Sequence, residues 1–250
     1  MTPSPGRTRT AKGAQTRARI LQTALDLFRE HGYQETTMRV IATEAGVALG
    51  NAYYYFKSKE YLVQAFYLRT HEEHLAACEP VLEQESAVEA RLLGVMQAKL
   101  TTIEPYHRFS GQLFRVAADP ESPLNPFSQA SLPTRRESTV LFERVIDGKG
   151  LRMPKDLRAE LPNLLWIYHM GIVLFWLHDR SEGRRRTHQL VESTVPLMLR
   201  LVSLGSLPLV RSFTRKGLLL VKEMRQENDE LAIDSEGGES PADRDGDASS

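Results

Sequence analysis

The chain has a single cysteine, Cys78, so no intrachain disulfide can form and a reducing compartment is implied. Behind its N-terminal arginines there is no apolar stretch, so no secretory leader is expected. Bulk charge is missing as well: Lys plus Arg and Asp plus Glu are 32 each. There is no G-x-S-x-G, no Gly-rich phosphate loop and no pair of carboxylates beside a strand, so no enzyme class and no cofactor are indicated. Internal repeats and strand hairpins are also missing. The longest apolar run, LLWIYHMGIVLFWL at 164–177, covers about fourteen residues, whereas a membrane span needs roughly twenty. His169 and Gly171 interrupt it, and His178, Asp179 and Arg180 follow. A buried helix is expected there, no membrane partner, and a cytoplasmic location.

What is present is ordinary for a globular chain: 250 residues, 41% hydrophobic and 26% charged, enough for one or two domains with a substantial core. The charge balance conceals an asymmetry. Residues 1–70 hold ten Lys/Arg and five Asp/Glu, a net of +5. Residues 226–250 hold one Arg and nine Asp/Glu, a net of −8. Such splitting suggests a basic end that meets a polyanion and an acidic, solvated tail. Residues 1–15 are Thr/Pro/Gly/Arg-rich and read as a flexible basic arm with Arg7, Arg9 and Lys12. The arm is open to two readings, a solvated tail or a segment that follows phosphates or a minor groove. Residues 226–250 are acidic and nearly free of large apolar residues, which reads as disorder.

Between these ends the pattern is helical throughout. Ile20, Ala24 and Phe28 recur every four residues in a first helix from about Thr16 to His31. Gly32 stands where a left-handed cap belongs, and Tyr33 can fold back onto the helix end. Thr37 is a good N-cap for a second helix, 38–45. A third helix spans about 49–55, and a fourth runs from Ser58 to about Glu79, ending before Pro80. Further helices are expected at 87–104, 106–118, 134–146, 156–180, 184–204 and 206–225, with a proline-rich loop at 119–133. The fold class is all-α, with an N-terminal three-helix helix-turn-helix unit at 16–62 and a helical regulatory and dimerisation domain at 63–225.

Two short helices joined at Gly46 make a helix-turn-helix. The second presents Gly50, Asn51 and the tyrosines Tyr53, Tyr54 and Tyr55, with Lys59 close behind, a set suited to a phosphate-lined groove. This stretch resembles the DNA-binding domain of the TetR/AcrR family of bacterial transcriptional regulators. The matching residues are Phe28 and Gly32; Thr37, Ile41, Ala42, Ala45, Gly46 and Val47; and Gly50, Tyr53, Tyr55, Phe56, Ser58, Lys59, Glu60 and Leu62. They hold their spacing across three helix boundaries, over about residues 16–65. The resemblance implies a sequence-specific regulator, a repressor by default, that binds double-stranded operator DNA as a homodimer. The implied DNA-facing set is Thr37, Arg39, Leu49, Gly50, Asn51, Tyr53, Tyr54, Tyr55 and Lys59. Within it, Tyr55 and Lys59 would hold phosphate, while Asn51 and Tyr54 would reach base edges. Two positions depart from the family pattern. Ala48 replaces a Ser/Thr cap, and Ala52 replaces a larger apolar residue.

In family members the helical core often opens into an apolar pocket for an effector. The residues set down for such a pocket are His74, Met96, Phe114, Trp166, His169 and Met170, for an unknown apolar small molecule. Alternatives stay open: a DNA-binding regulator that is constitutive or controlled by a protein partner and, more remotely, a metal sensor or an enzyme. The metal reading rests on His71, His74 and Cys78 at i, i+3 and i+7 of the fourth helix. No metal is assigned there.

Overall fold

The computed structural model describes residues 5–119, 122 and 124–204, with side chains from residue 11 onward except those of 108, 109, 112, 115 and 116. Nine α-helices and three short 3₁₀ turns make up these residues: α1 (Pro5–His31), α2 (Met38–Glu44), α3 (Leu49–Tyr55), α4 (Lys59–Gln84), α5 (Val88–Ile103), α6 (His107–Ala117), α7 (Leu132–Ile146), α8 (Lys155–His178) and α9 (Arg185–Leu204). The expected helix at 206–225 and the acidic tail lie outside the described residues.

Local sequence chemistry explains most boundaries. Gly32 adopts φ 87° and returns its N–H to the Phe28 carbonyl at 3.0 Å, closing α1. Tyr33 then packs on Phe28, ring centroids 5.1 Å apart. Thr37 caps α2 by accepting the Val40 N–H. Gly46, at φ 64°, turns the chain from α2 into α3. As the missing Ser/Thr implied, Ala48 leaves the α3 N-terminus without a side-chain cap.

Two boundaries differ from the sequence reading. First, α1 begins at Pro5, so most of the arm expected to be flexible is helical. Proline at the first helical position loses no hydrogen bond, because that N–H has no intrahelical partner anyway. Second, α4 continues through Pro80 to Gln84. The carbonyl that Pro80 leaves unpaired belongs to Ala76, an exposed residue, so water can satisfy it. Pro162 in α8 and Pro196 in α9 follow the same rule: the residues four positions earlier, Arg158 and Glu192, are exposed. An interior proline thus costs less when the carbonyl it orphans faces solvent.

Two cores result. One gathers α1–α3 and the start of α4 around Phe28, Ile41, Phe56 and Leu62, and it also takes in Leu113 and Ala117 from α6. The other fills the space among α4, α5, α7, α8 and α9. α6 therefore belongs to the first core while leading in from the second. Trp176 on α8 donates its indole N–H to Glu104 at 2.9 Å, and His107 Nε2 donates to the Trp176 carbonyl at 2.9 Å. Tyr106 packs edge-on against Phe66 and receives a 2.8 Å hydrogen bond from Arg69 of α4.

Candidate DNA-binding face and ligand cavity

α3 is held from beneath and bare on top. Ala52 is fully buried and Phe56 nearly so, while Gly50, Asn51, Tyr53 and Tyr54 are exposed, Tyr54 to 80%. Arg17 of α1 lies over the Phe56 ring at 4.8 Å. The small side chain of Ala52 lets α3 sit close on the first core. Leu49 is half-buried against that core. Tyr55 is half-buried too. Its ring meets Tyr54 edge-on at 5.1 Å, and its hydroxyl approaches Gly13 of α1. Tyr55 thus faces the α1 side, while Tyr53 and Tyr54 project outward.

Thr37, Tyr53, Lys57 and Lys59 border one shallow recess beside α3, at the start of α2. Lys59 is engaged within the protein. Its Nζ donates to the Tyr33 carbonyl at 2.7 Å and the Gln34 carbonyl at 3.3 Å, and it lies 4.4 Å from the centre of the Tyr33 ring. The side chain therefore ties the start of α4 to the turn between α1 and α2. Glu60 completes this clasp by accepting from the Tyr33 hydroxyl at 3.0 Å and from the Ser58 hydroxyl. The Ser58 hydrogen bond is the main reason the Glu60 carboxyl is held below its ordinary range. Lys57, absent from the sequence-derived set, is exposed at this recess. Arg39 is exposed on α2.

The second site is a partly open cavity of about 210 Å³ among α4–α8 and the segment before α7. Phe114, Trp166, His169 and Met170 border it, as do Phe66 and Trp176. His74 and Met96 do not. His74 Nε2 donates to the Val95 carbonyl at 3.1 Å, and Met96 is fully buried in the second core. Periodicity identifies an inward face but not which inward residues border unfilled space. Burial pushes the His74 imidazole down to about 3, so it stays neutral. His71 donates to Glu137 at 2.9 Å, and Cys78 is buried with its thiol pushed up to about 12. Among the described residues no group of three or more His, Cys, Asp or Glu side chains is arranged to hold a metal ion.

Lys99 also borders this cavity. It had a sequence signal that pattern reading passed over: it stands seven, four and three residues after Leu92, Val95 and Met96, all fully buried. A lysine on that stripe must point into the core.

Comparison with known proteins fits this geometry. The model of the tetracyclin repressor-like C-terminal domain matches residues 91–220, more than half the chain, and the model of the tetR family of bacterial regulatory proteins matches residues 20–66. The chain belongs to the TetR family. Among curated relatives, the HTH-type transcriptional regulator UidR of Escherichia coli is 39% identical over 61 residues, which is 24% of this chain and 31% of that protein. The HTH-type transcriptional repressor KstR2 of Mycolicibacterium smegmatis is 31% identical over 94 residues, 38% of this chain and 46% of that one. The TetR-family chain therefore spans less than half the length of either relative. Among solved structures, a tetR-family regulatory protein from Rhodococcus RHA1 is 25% identical, with a TM-score of 0.52, covering 75% of this chain and 97% of that one. A TetR transcriptional regulator from Nitrosomonas europaea shares the fold at 19% identity and a TM-score of 0.58, covering 72% and 96%.

Proposed function

We propose that this TetR-family protein is a homodimeric repressor that binds operator DNA through α3 and is released from it by a small molecule in the α4–α8 cavity. The observation that carries the DNA reading is the two-sided character of α3. Ala52 and Phe56 fix the helix to the core, and Asn51, Tyr53 and Tyr54 stand free on a face beside Lys57. A buried tyrosine is packing, but two adjacent tyrosines on a short seated helix, Tyr54 touching only the edge of Tyr55 among the described ring contacts, leave much of their surface open. They suit a groove lined by phosphates and base edges. Asn51 and Tyr54 are assigned to base edges, Tyr53 and Lys57 to phosphates. Repression, rather than activation, is supported by the name of the KstR2 relative, a transcriptional repressor.

Dimerisation is supported by apolar surface on α8 and α9. Ile167, Leu174 and Phe175 on α8, and Leu197, Leu201 and Leu204 on α9, are all more than 40% exposed at helical spacing. α8 is by length and composition apolar enough to cross a membrane. Its other face, however, packs Leu157, Leu161, Leu165 and Trp176 into the protein, so its exposed stripe is better suited to a second copy than to lipid. Two such helices from each subunit make a four-helix interface. Two half-sites about 34–36 Å apart would then be read together.

Release is supported by the path from cavity to DNA face. Trp176 borders the cavity and holds Glu104. Glu104 leads through Tyr106 and His107 into α6, whose Leu113 and Ala117 sit in the helix-turn-helix core. A ligand that moves Trp176 or α6 would alter the tilt of the α1–α3 unit. A coupling of about 1–3 kcal/mol corresponds to roughly 5–150-fold in DNA affinity. The test compares duplex variants: Tyr54→Ala and Asn51→Ala should change the preference among operator variants by about tenfold or more. Equal losses on every duplex, operator and random alike, would remove α3 from base recognition.

A further inference from the structure

The α4–α8 cavity is not simply apolar. Its walls carry two cations, Lys99 and Arg135, and among the described residues no Asp or Glu borders it. Arg135 is occupied: it donates to the Pro126 carbonyl at 3.2 Å and lies over the Trp166 ring at 5.8 Å. Lys99 has no hydrogen-bond acceptor and no ion-pair partner among the described residues. Its neighbours are His71, His74, His169 and Cys78, none of which offers it a negative charge. The carboxylate paired with His71, Glu137, lies at the protein surface and accepts from that ring at 2.9 Å. Deeper in, both ring nitrogens of His169 are buried and lack any hydrogen-bond partner among the described residues, although this ring borders the cavity. Its flanks are the rings of His74 at 5.5 Å and Phe142 at 5.8 Å, neither of which hydrogen-bonds it.

A half-buried ammonium and a buried imidazole left unpaired beside one cavity are costly unless something else pairs them. We propose that the cavity binds an amphipathic organic anion, a monocarboxylic acid whose carboxylate sits at Lys99 with His169 as a second donor and whose apolar body lies against Trp166, Trp176 and Phe114. This rests on the ligand-gated reading above and names the chemical class of its effector. The carboxylate supplies the missing acceptor to Lys99, and the neutral imidazole of His169 donates one N–H to it. Burial pushes the Lys99 ammonium down to about 8, so the cation is present but poorly solvated at neutral pH, the condition in which an entering anion gains most. A neutral ligand such as an amide could accept a hydrogen bond here but would leave the Lys99 charge without a counter-charge. A cationic ligand would add a third positive charge to those of Lys99 and Arg135.

The test uses full-length protein and two matched probe sets: octanoate, octanamide and octylamine, and 3-phenylpropanoate with 3-phenylpropanamide. Binding is followed by calorimetry and by tryptophan fluorescence, since Trp166 and Trp176 line the cavity. Each acid should bind at least about tenfold more tightly than its amide, and octylamine should not bind. Lys99→Met, which keeps length and apolar bulk, should bring acid and amide together. The wild-type acid-to-amide ratio stands as evidence even if that variant does not fold. The proposal is overturned if amides bind as well as acids, if Lys99→Met preserves the preference, or if neither acid binds. Operator affinity measured with the same probes separates the two readings. An acid that binds through Lys99 yet leaves DNA affinity unchanged supports the site and overturns the gating. An amide that binds equally well and releases DNA supports the gating and overturns the anion assignment.

Discussion

Replacing Lys99 by methionine should stabilise the ligand-free protein, although lysine-to-methionine changes on a surface do little. An unfolded lysine titrates near 10.4, and Lys99 is pushed down to about 8 by burial. The difference, converted at about 1.4 kcal/mol per unit, gives about 3 kcal/mol as an upper figure. Because the residue is only half-buried, about 1–3 kcal/mol is expected at pH 7 after solvent screening. The pH dependence makes the test specific. Between pH 8 and about 10.4 the unfolded chain binds the proton that the folded protein has lost. Wild-type stability therefore rises relative to that of the methionine variant through that window. The advantage of the variant should be full at pH 7 and vanish near pH 10.5. His74 and His169 are pushed down and stay outside this window. Cys78, pushed up to about 12, loses its proton here only in the unfolded chain, which lowers the stability of wild type and variant alike and leaves their difference to Lys99. Urea unfolding at fixed protein concentration and ionic strength, in buffers free of carboxylates, measures the difference at each pH. A variant less stable than wild type at pH 7, with parallel curves to pH 10.5, would refute the view of Lys99 as an enclosed, unpaired cation.

Three further outcomes follow from named side chains. Leu201→Glu, on the exposed α9 stripe, should raise the dimer dissociation constant more than about a hundredfold by sedimentation, with no loss of helicity. Lys57→Ala should lower affinity for all duplexes and flatten the salt dependence by about one unit of slope without moving the melting temperature, whereas Lys59→Ala should also lower the melting temperature, because Lys59 ties α4 to the Tyr33 and Gln34 carbonyls. Asp179 accepts hydrogen bonds from the backbone and hydroxyl of both Ser181 and Thr187 at the turn into α9. Burial alone would raise its pKa, but these bonds outweigh it and hold the carboxyl well below its ordinary range. Asp179→Ala should cost about 2–4 kcal/mol in chemical denaturation, and the wild-type advantage, full above about pH 4, should be lost as pH falls further toward the folded value.

Much of the fold is written in short-range chemistry. The α3 boundaries, the Gly32 cap and the Thr37 cap each depend on one or two residues, and the structure follows them. The errors arose where a local rule has a condition that depends on the rest of the fold. An interior proline costs less where the residue whose carbonyl it orphans is exposed, as Ala76 is, and α4 runs on through Pro80. Tyr55 and Lys59 sit among residues that look alike in sequence. Whether each turns outward or back onto α1 depends on where Gly13, Tyr33 and Gln34 lie in space. The cavity was the hardest to read. His74 and Met96 share the inward periodicity of His169 and Met170, but the backbone of Val95 and the packing of the second core consume them. Lys99 was legible in principle, because a charged residue amid fully buried apolar positions marks a cost that some function offsets.

The central claim is that two copies of α3 read one DNA site together. Selection of binding duplexes from a randomised pool, followed by sedimentation of the selected complex, tests it most directly. The account predicts two inverted half-sites with centres about 10 base pairs apart, bound by one dimer and discriminated through Asn51 and Tyr54. A pool that enriches no sequence, or a monomer that occupies a single half-site with undiminished affinity, would contradict it.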